Sequence, residues 1–181
     1  MKFTETELAG LWLIEPDVHE DKRGFFLESF TSREMKAHGL PEIFVQDNHA
    51  RSLAVGVVRG MHFQKPPFAQ SKLVRVVRGA VFDVAVDLRT ASRTFGKWLG
   101  VELSEENKKI LFVPKGFGHG YCTLTDDSEF LYKVDACYSP QHDSGIRWND
   151  PAIGIRWPVS EPTLSQKDLS LPLLKDIDSP F

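Results

Sequence analysis

Residues 72–89, KLVRVVRGAVFDVAVDLR, decide the fold. Two Val-rich runs, 72–78 and 81–89, flank Gly79, and each alternates as a β-strand does, successive side chains pointing to opposite faces. In the second run Phe82, Val84, Val86 and Leu88 share one face. Asp83, Asp87 and Arg89 take the other, the pattern of a half-buried strand. With Gly79 as the turn, the two runs read as a hairpin. In the first run Lys72 shares a face with Val74 and Val76, an awkward place for an ammonium unless it snorkels to water or meets an anion.

Further strands are predicted at 24–30, 56–64, 98–103, 109–113 and 129–138. Helix is scarce. One short helix is expected over 32–38, where Thr31 and Glu34 have capping-box spacing, Gly39 closes the C-terminus and Pro41 follows. A second helical turn is expected near Ser165. Many short strands with scattered Gly and Pro predict a mainly β protein, a jelly roll or similar small barrel whose interior can enclose a ligand. With 181 residues and no repeat or linker, the expectation is a single domain over 1–181.

Composition narrows the function. Hydrophobic residues make up 41% and charged residues 26%, which excludes disordered, coiled-coil and collagen-like classes. A net charge of −3 supplies no global field for nucleic acid or an anionic membrane, so any anionic ligand must be held by a local cluster of cations. Cys122 and Cys137 are too few for a disulfide framework or a four-thiolate zinc site and suggest a reducing compartment. The opening MKFTETELAG has Glu5 and Glu7 where a signal peptide needs an apolar stretch, so the expected address is the cytoplasm.

Several polar residues fall where a core would not want them. In GVVRGMHFQ (56–64), period two puts His62 on a face with Val58, Gly60 and Gln64. A core histidine with a satisfied hydrogen bond is the ordinary reading of that position. Arg59 takes the opposite face, unless Gly60 hosts a bulge that re-aims it. In 129–138, Tyr132 and Tyr138 project from one face with Phe130, Val134 and Ala136. PKGFGHG (114–120) is a glycine-rich turn leading into a strand that carries His119. Each feature is ordinary alone. Together they are what proton transfer beside a carbonyl requires: a base, a cation for the enolate oxygen and an acid to return the proton. A metal site would need paired histidines and a nearby carboxylate. Here His62 is followed by Gln64, no carboxylate comes until Asp83, and Lys72 adds positive charge. The site is therefore read as free of metal.

The stretches DKRGFFLESF (21–30), FVQDNHARS (44–52), VVRGMHFQ (57–64), QSKLVRVVRGAVFDVAVDLR (70–89), TFGKW (94–98), VPKGFGHGY (113–121), YKVDACYSP (132–140) and IRWNDPAIGIRWP (146–158) resemble the dTDP-4-dehydrorhamnose 3,5-epimerase family, over about residues 10–170. The resemblance implies a cupin-type jelly roll (double-stranded β-helix) acting as a homodimer, with no metal, no cofactor, and neither nucleic acid nor membrane as partner. The implied substrate is dTDP-4-keto-6-deoxyglucose.

By the same resemblance His62 is the base, Asp168 its carboxylate partner, Tyr132 the acid and Lys72 the cation at the enolate oxygen. The residues alone leave Asp168 open to a capping role, since Ser165 stands three positions before it. His119 matches a residue lining the sugar site. Arg23 and Arg59 match the diphosphate grip, Gln46, Asp47 and Asn48 a substrate loop, and Glu28 the carboxylate on the thymine. Tyr138 matches the ring that stacks on the base, with Phe26 nearby from either subunit, and Lys167 and Asp143 match further binding positions. Asp143 stands where the family usually has glutamate, the stretch 48–59 is one residue longer than usual, and Met61 replaces a common leucine. Two alternatives stay open: a relative inverting only C3 or only C5, and a sugar-nucleotide binder without turnover.

Overall fold

A computed structural model describes residues 1–181. In chain order the strands are β1 (Lys2–Glu5), β2 (Trp12–Glu15), β3 (Val18–Asp21), β4 (Gly24–Leu27), β5 (Gln46–Ser52), β6 (Val58–Gln64), β7 (Lys72–Arg78), β8 (Ala80–Asp87), β9 (Trp98–Ser104), β10 (Ile110–Val113), β11 (Phe117–Thr123), β12 (Ser128–Val134) and β13 (Asp143–Gly145). Two short helices, α1 (Ser32–Ala37) and α2 (Gln166–Leu169), and a 3-10 turn at Leu174–Asp176 complete it. One sheet runs β1-β2-β10-β7-β12-β5, a second runs β13-β6-β11-β8-β9, and β3 and β4 form a separate hairpin. All the strand pairings are antiparallel. Two facing antiparallel sheets of this kind are a jelly roll, as expected.

The space between the sheets is filled by Val74, Val76, Val81, Ala85, Leu111, Val113, Phe117, Tyr121 and Phe130. A second apolar cluster of Met61, Phe63, Val84, Val86, Leu88, Ile146 and Ile153 packs with Trp157 and Phe181, so the C-terminal segment covers the outer face of the second sheet. A third, around Ile14, Met35, Leu73, Ile110 and Phe112, packs α1 against the first sheet.

This layering corrects the expectation for β8. Its even row, Val84 and Val86, faces outward under the C-terminal segment. Asp83 and Asp87 face inward and are wholly buried rather than wet. The alternation was real, but both faces are covered. Asp87 is satisfied by Arg89, Ser92 Oγ and Thr94 Oγ1 at 2.6 to 2.8 Å, and the Arg89 guanidinium lies over the Phe117 ring.

Two predicted strands end early. The one expected over 24–30 stops at Leu27, and the one over 129–138 stops at Val134, where the pairing with β5 and β7 runs out. The polar strand β5, QDNHARS, was not anticipated. It lies at the margin of its sheet, so half of its side chains need no core. The helix forms as read, with Thr31 Oγ1 accepting from Glu34 N at 3.5 Å and Gly39 in a left-handed conformation at φ +70°. Both cysteines are free, and no helix is long and apolar enough to cross a membrane.

Candidate active site

The decisive local feature lies in β6. Opposite β11, His62 pairs with His119 and Arg59 with Tyr121, three steps on one strand against two on the other. That is one extra residue, a β-bulge. It sits at Gly60, whose φ of +132° suits glycine alone, and a Cβ there would lie 2.5 Å from Gly120 Cα. The bulge resets the alternation, so Arg59 and His62 line the same cavity, which strict parity forbids. His62 keeps its face with Gln64.

The cavity encloses about 470 Å³ and is walled by Arg59 and His62 from β6, Lys72 from β7, His119 and Tyr121 from β11, Phe130 and Tyr132 from β12, and Lys167 and Asp168 from α2. Its volume suits a small organic ligand. Base and acid candidates come from opposite sheets, His62 from the second and Tyr132 from the first.

His62 Nε2 donates to Asp168 Oδ1 at 2.5 Å. The His62 side chain is 30% exposed and that of Asp168 4%, so the carboxylate is sealed behind the imidazole while the ring reaches the cavity. With Nε2 occupied, Nδ1 is the nitrogen left to act. Asp168 makes two contacts: its backbone N–H donates to Ser165 Oγ at 3.1 Å, and its side chain bonds His62. Burial pushes the Asp168 carboxyl up, but the interaction with His62 and the hydrogen bonds from Ser165 and the Gly60 backbone outweigh it and hold the group below the usual carboxylate range.

Lys72 reaches inward to the His62 carbonyl at 3.3 Å. Burial pulls its ammonium down to about 8, against the opposing pull of Asp83 and Asp143. Tyr132 is pushed up by burial, so it stays a phenol and can donate a proton. His119 Nε2 lies 2.9 and 3.1 Å from the two oxygens of Asp83.

At one side of the cavity Asp143 Oδ2 accepts from Tyr138 Oη at 2.8 Å and from Lys167 Nζ at 2.5 Å. Gln46 joins the same region, its Oε1 accepting from the Tyr138 backbone and its Nε2 donating to Asn48 Oδ1. Arg59 Nε donates to Ser52 Oγ at 3.2 Å and its Nη2 to the Arg51 carbonyl at 3.1 Å.

Four predicted residues do not join. Asp47 alternates to the outer face of β5 and pairs with Lys133 at 2.7 Å. Arg23 and Phe26 sit on the β3-β4 hairpin, where Arg23 bonds only Asp21, and Glu28 just beyond it is exposed. Nor did sequence reasoning single out Tyr121 or assign Asp83 to the site. The Tyr121 hydroxyl is buried with no hydrogen-bond partner. The signal for Asp83 was present as a carboxylate inside the run VFDVAVD. No group of three or more His, Cys, Asp or Glu is arranged to hold a metal ion.

Residues 5–176 match the family model described as dTDP-4-dehydrorhamnose 3,5-epimerase. The enzyme of that name from Shigella flexneri is 50% identical over 179 residues, 98% of either chain. The Bacillus anthracis dTDP-4-dehydrorhamnose 3,5-epimerase, solved with TDP and PPi bound, superposes with a TM-score of 0.93 at 49% identity, over 95% of this chain and 98% of that one. The Legionella pneumophila dTDP-6-deoxy-D-glucose-3,5-epimerase, solved with dTDP-4-keto-L-rhamnose, gives a TM-score of 0.93 at 45% identity, over 98% of this chain and 94% of that one.

Proposed function

Because this chain belongs to the dTDP-4-dehydrorhamnose 3,5-epimerase family, we infer that its cavity converts dTDP-4-dehydro-6-deoxy-D-glucose to dTDP-4-dehydro-L-rhamnose by inverting C3 and C5. The scaffold is the cupin jelly roll of its structural relatives. The observation that carries the assignment of roles is the placement of the His62–Asp168 pair and Tyr132 on opposite walls of one cavity, with Lys72 between the same sheets.

The C4 ketone acidifies the protons on both neighbouring carbons. His62 Nδ1 takes the C3 proton, the electron pair moves onto the C4 oxygen, and the Lys72 ammonium stabilises the enolate so formed. Tyr132 then gives its phenolic proton to the other face of C3, which inverts the centre. Proton exchange with solvent returns His62 and Tyr132 to their starting states, and the cycle repeats at C5. No step requires a metal or a cofactor.

Arg59 and Lys167 are the cavity cations available to the diphosphate, and a guanidinium fork suits that task. Tyr138, whose hydroxyl donates to Asp143, is the ring assigned to stack on the base. Arg23, Phe26 and Glu28 lie outside the cavity within one chain. A homodimer in which the hairpin of one copy reaches the site of the other accounts for them. That reading is supported by Phe25 and Phe26, 59% and 67% exposed on the hairpin. Residues 1–181 act as one catalytic unit, and the free thiols support a reducing compartment such as the cytoplasm.

The assignment is tested by incubating the protein with dTDP-4-keto-6-deoxyglucose and reading the configuration of the sugar by NMR. Inversion at both carbons is expected. An unchanged sugar overturns the assignment, and sedimentation as a monomer overturns the dimer.

A further inference from the structure

Asp83 is a carboxylate with no exposed surface, set in the interior row of β8. Buried carboxylates are rare and costly unless paired. Both of its oxygens accept from a single group, His119 Nε2, and the His119 side chain is itself only 6% exposed. His119 lies directly across from His62 in the β6-β11 pairing. The interior therefore holds two adjacent imidazoles, each with its own carboxylate. One pair is the base; in the other, His119 matches a sugar-site residue and Asp83 has no assigned role.

His62 on β6, His119 on β11, Tyr132 on β12 and Lys167 on α2 line the cavity with Lys72, and Asp83 on β8 and Asp143 on β13 are near enough to act on its charge. Asp143 is already paired with Lys167, and Asp168 is bonded by His62. Burial pushes His119 down, so its imidazole stays neutral. Asp83 pulls the Lys72 ammonium up against the effect of burial.

We propose that Asp83 is a positioning residue for the reaction: it fixes His119 as the tautomer with hydrogen on Nε2, leaving Nδ1 to accept from a sugar hydroxyl. The proposal rests on the epimerase reading. A purely structural role accounts less well for the residue, because an apolar pair of similar volume would fill the space without the cost of burying a charge.

The test is Asp83→Asn, nearly equal in volume. The expected result is a folded protein at least as heat-stable as the parent, with kcat reduced at least tenfold and the basic limb of the pH-rate profile moved down by about one pH unit, the effect of removing a nearby opposite charge. An unchanged kcat and basic limb overturn the proposal. Should the variant not fold, the parent protein decides. In 15N NMR of the ring nitrogens, His119 should show a protonated Nε2 and a bare Nδ1 from about pH 6 to 8, the range in which an ordinary histidine changes charge. An imidazolium or the opposite tautomer overturns it. That spectrum needs no turnover, so the proposal can fail or stand separately from the epimerase assignment.

Discussion

His62 Nε2 and Asp168 Oδ1 lie 2.5 Å apart although 106 positions separate the two residues in the chain. The contact ties the bulged strand of the second sheet to a four-residue helix near the C-terminus, and it leaves Nδ1 as the imidazole nitrogen without a protein partner. A carboxylate so placed orients the ring and stabilises the imidazolium formed when the base takes a proton.

Asp168→Asn should therefore leave the fold intact and cut kcat by about 10² to 10³, the lower part of the range for a disabled general base. Binding of dTDP should change little, because Asp168 contacts the ring rather than the nucleotide. Steady-state kinetics and calorimetry separate the two, and a loss confined to affinity would contradict the assignment.

On the proposed mechanism, Lys72 sets the alkaline limit. Its ammonium is lowered to about 8, so the charged form is present below that pH and lost above it. The rate should hold up to about pH 8 and then fall roughly tenfold per unit. Lys72→Met should abolish that limb and lower kcat by about 10² to 10³, as expected for loss of one oxyanion donor. A pH-rate profile of each protein checks this.

On the proposed mechanism, Tyr132→Phe removes the acid and leaves the base. Epimerisation should fall by about 10² or more. Proton removal by His62 should continue, so in deuterated water the substrate should gain label without changing configuration. Inverted product at the parental rate would remove Tyr132 from its role.

Away from the site, Asp87 contributes to stability. Burial raises its carboxyl, yet the hydrogen bonds from Arg89, Ser92 and Thr94 prevail and hold it at about 2. A carboxyl depressed on folding stabilises above its unfolded value of about 3.9 and loses that contribution as pH falls through the folded value. Asp87→Asn should cost about 2 to 3 kcal/mol at pH 7, the worth of hydrogen bonds to a charged group, and the deficit should narrow toward pH 2. Urea denaturation at pH 7 and at about pH 2.5 measures both.

Much of this was legible in the residues. The hairpin of β7 and β8 announces itself through period two and Gly79, and the glycine at position 60 marked the bulge that brings Arg59 to the side of His62. What could not be read was which face of a strand is inside. In β8 the C-terminal segment around Ile153, Trp157 and Phe181 covers the apolar row, so the polar row turns inward, and no local pattern reports a cover laid down some 70 residues later. β5 was missed because a marginal strand beside an open cavity needs no apolar alternation. Arg23, Phe26 and Glu28 are placed by a hairpin outside both sheets, and a single chain's pattern does not say what that hairpin meets.

The most direct test of the central claim, that one base in this cavity serves both carbons beside the ketone, is incubation with dTDP-4-keto-6-deoxyglucose in deuterated water, reading label at C3 and C5 by NMR. The mechanism predicts deuterium at both positions with inverted product, and loss of both signals in His62→Ala while dTDP still binds. Label at one carbon only, or full exchange in His62→Ala, would contradict it.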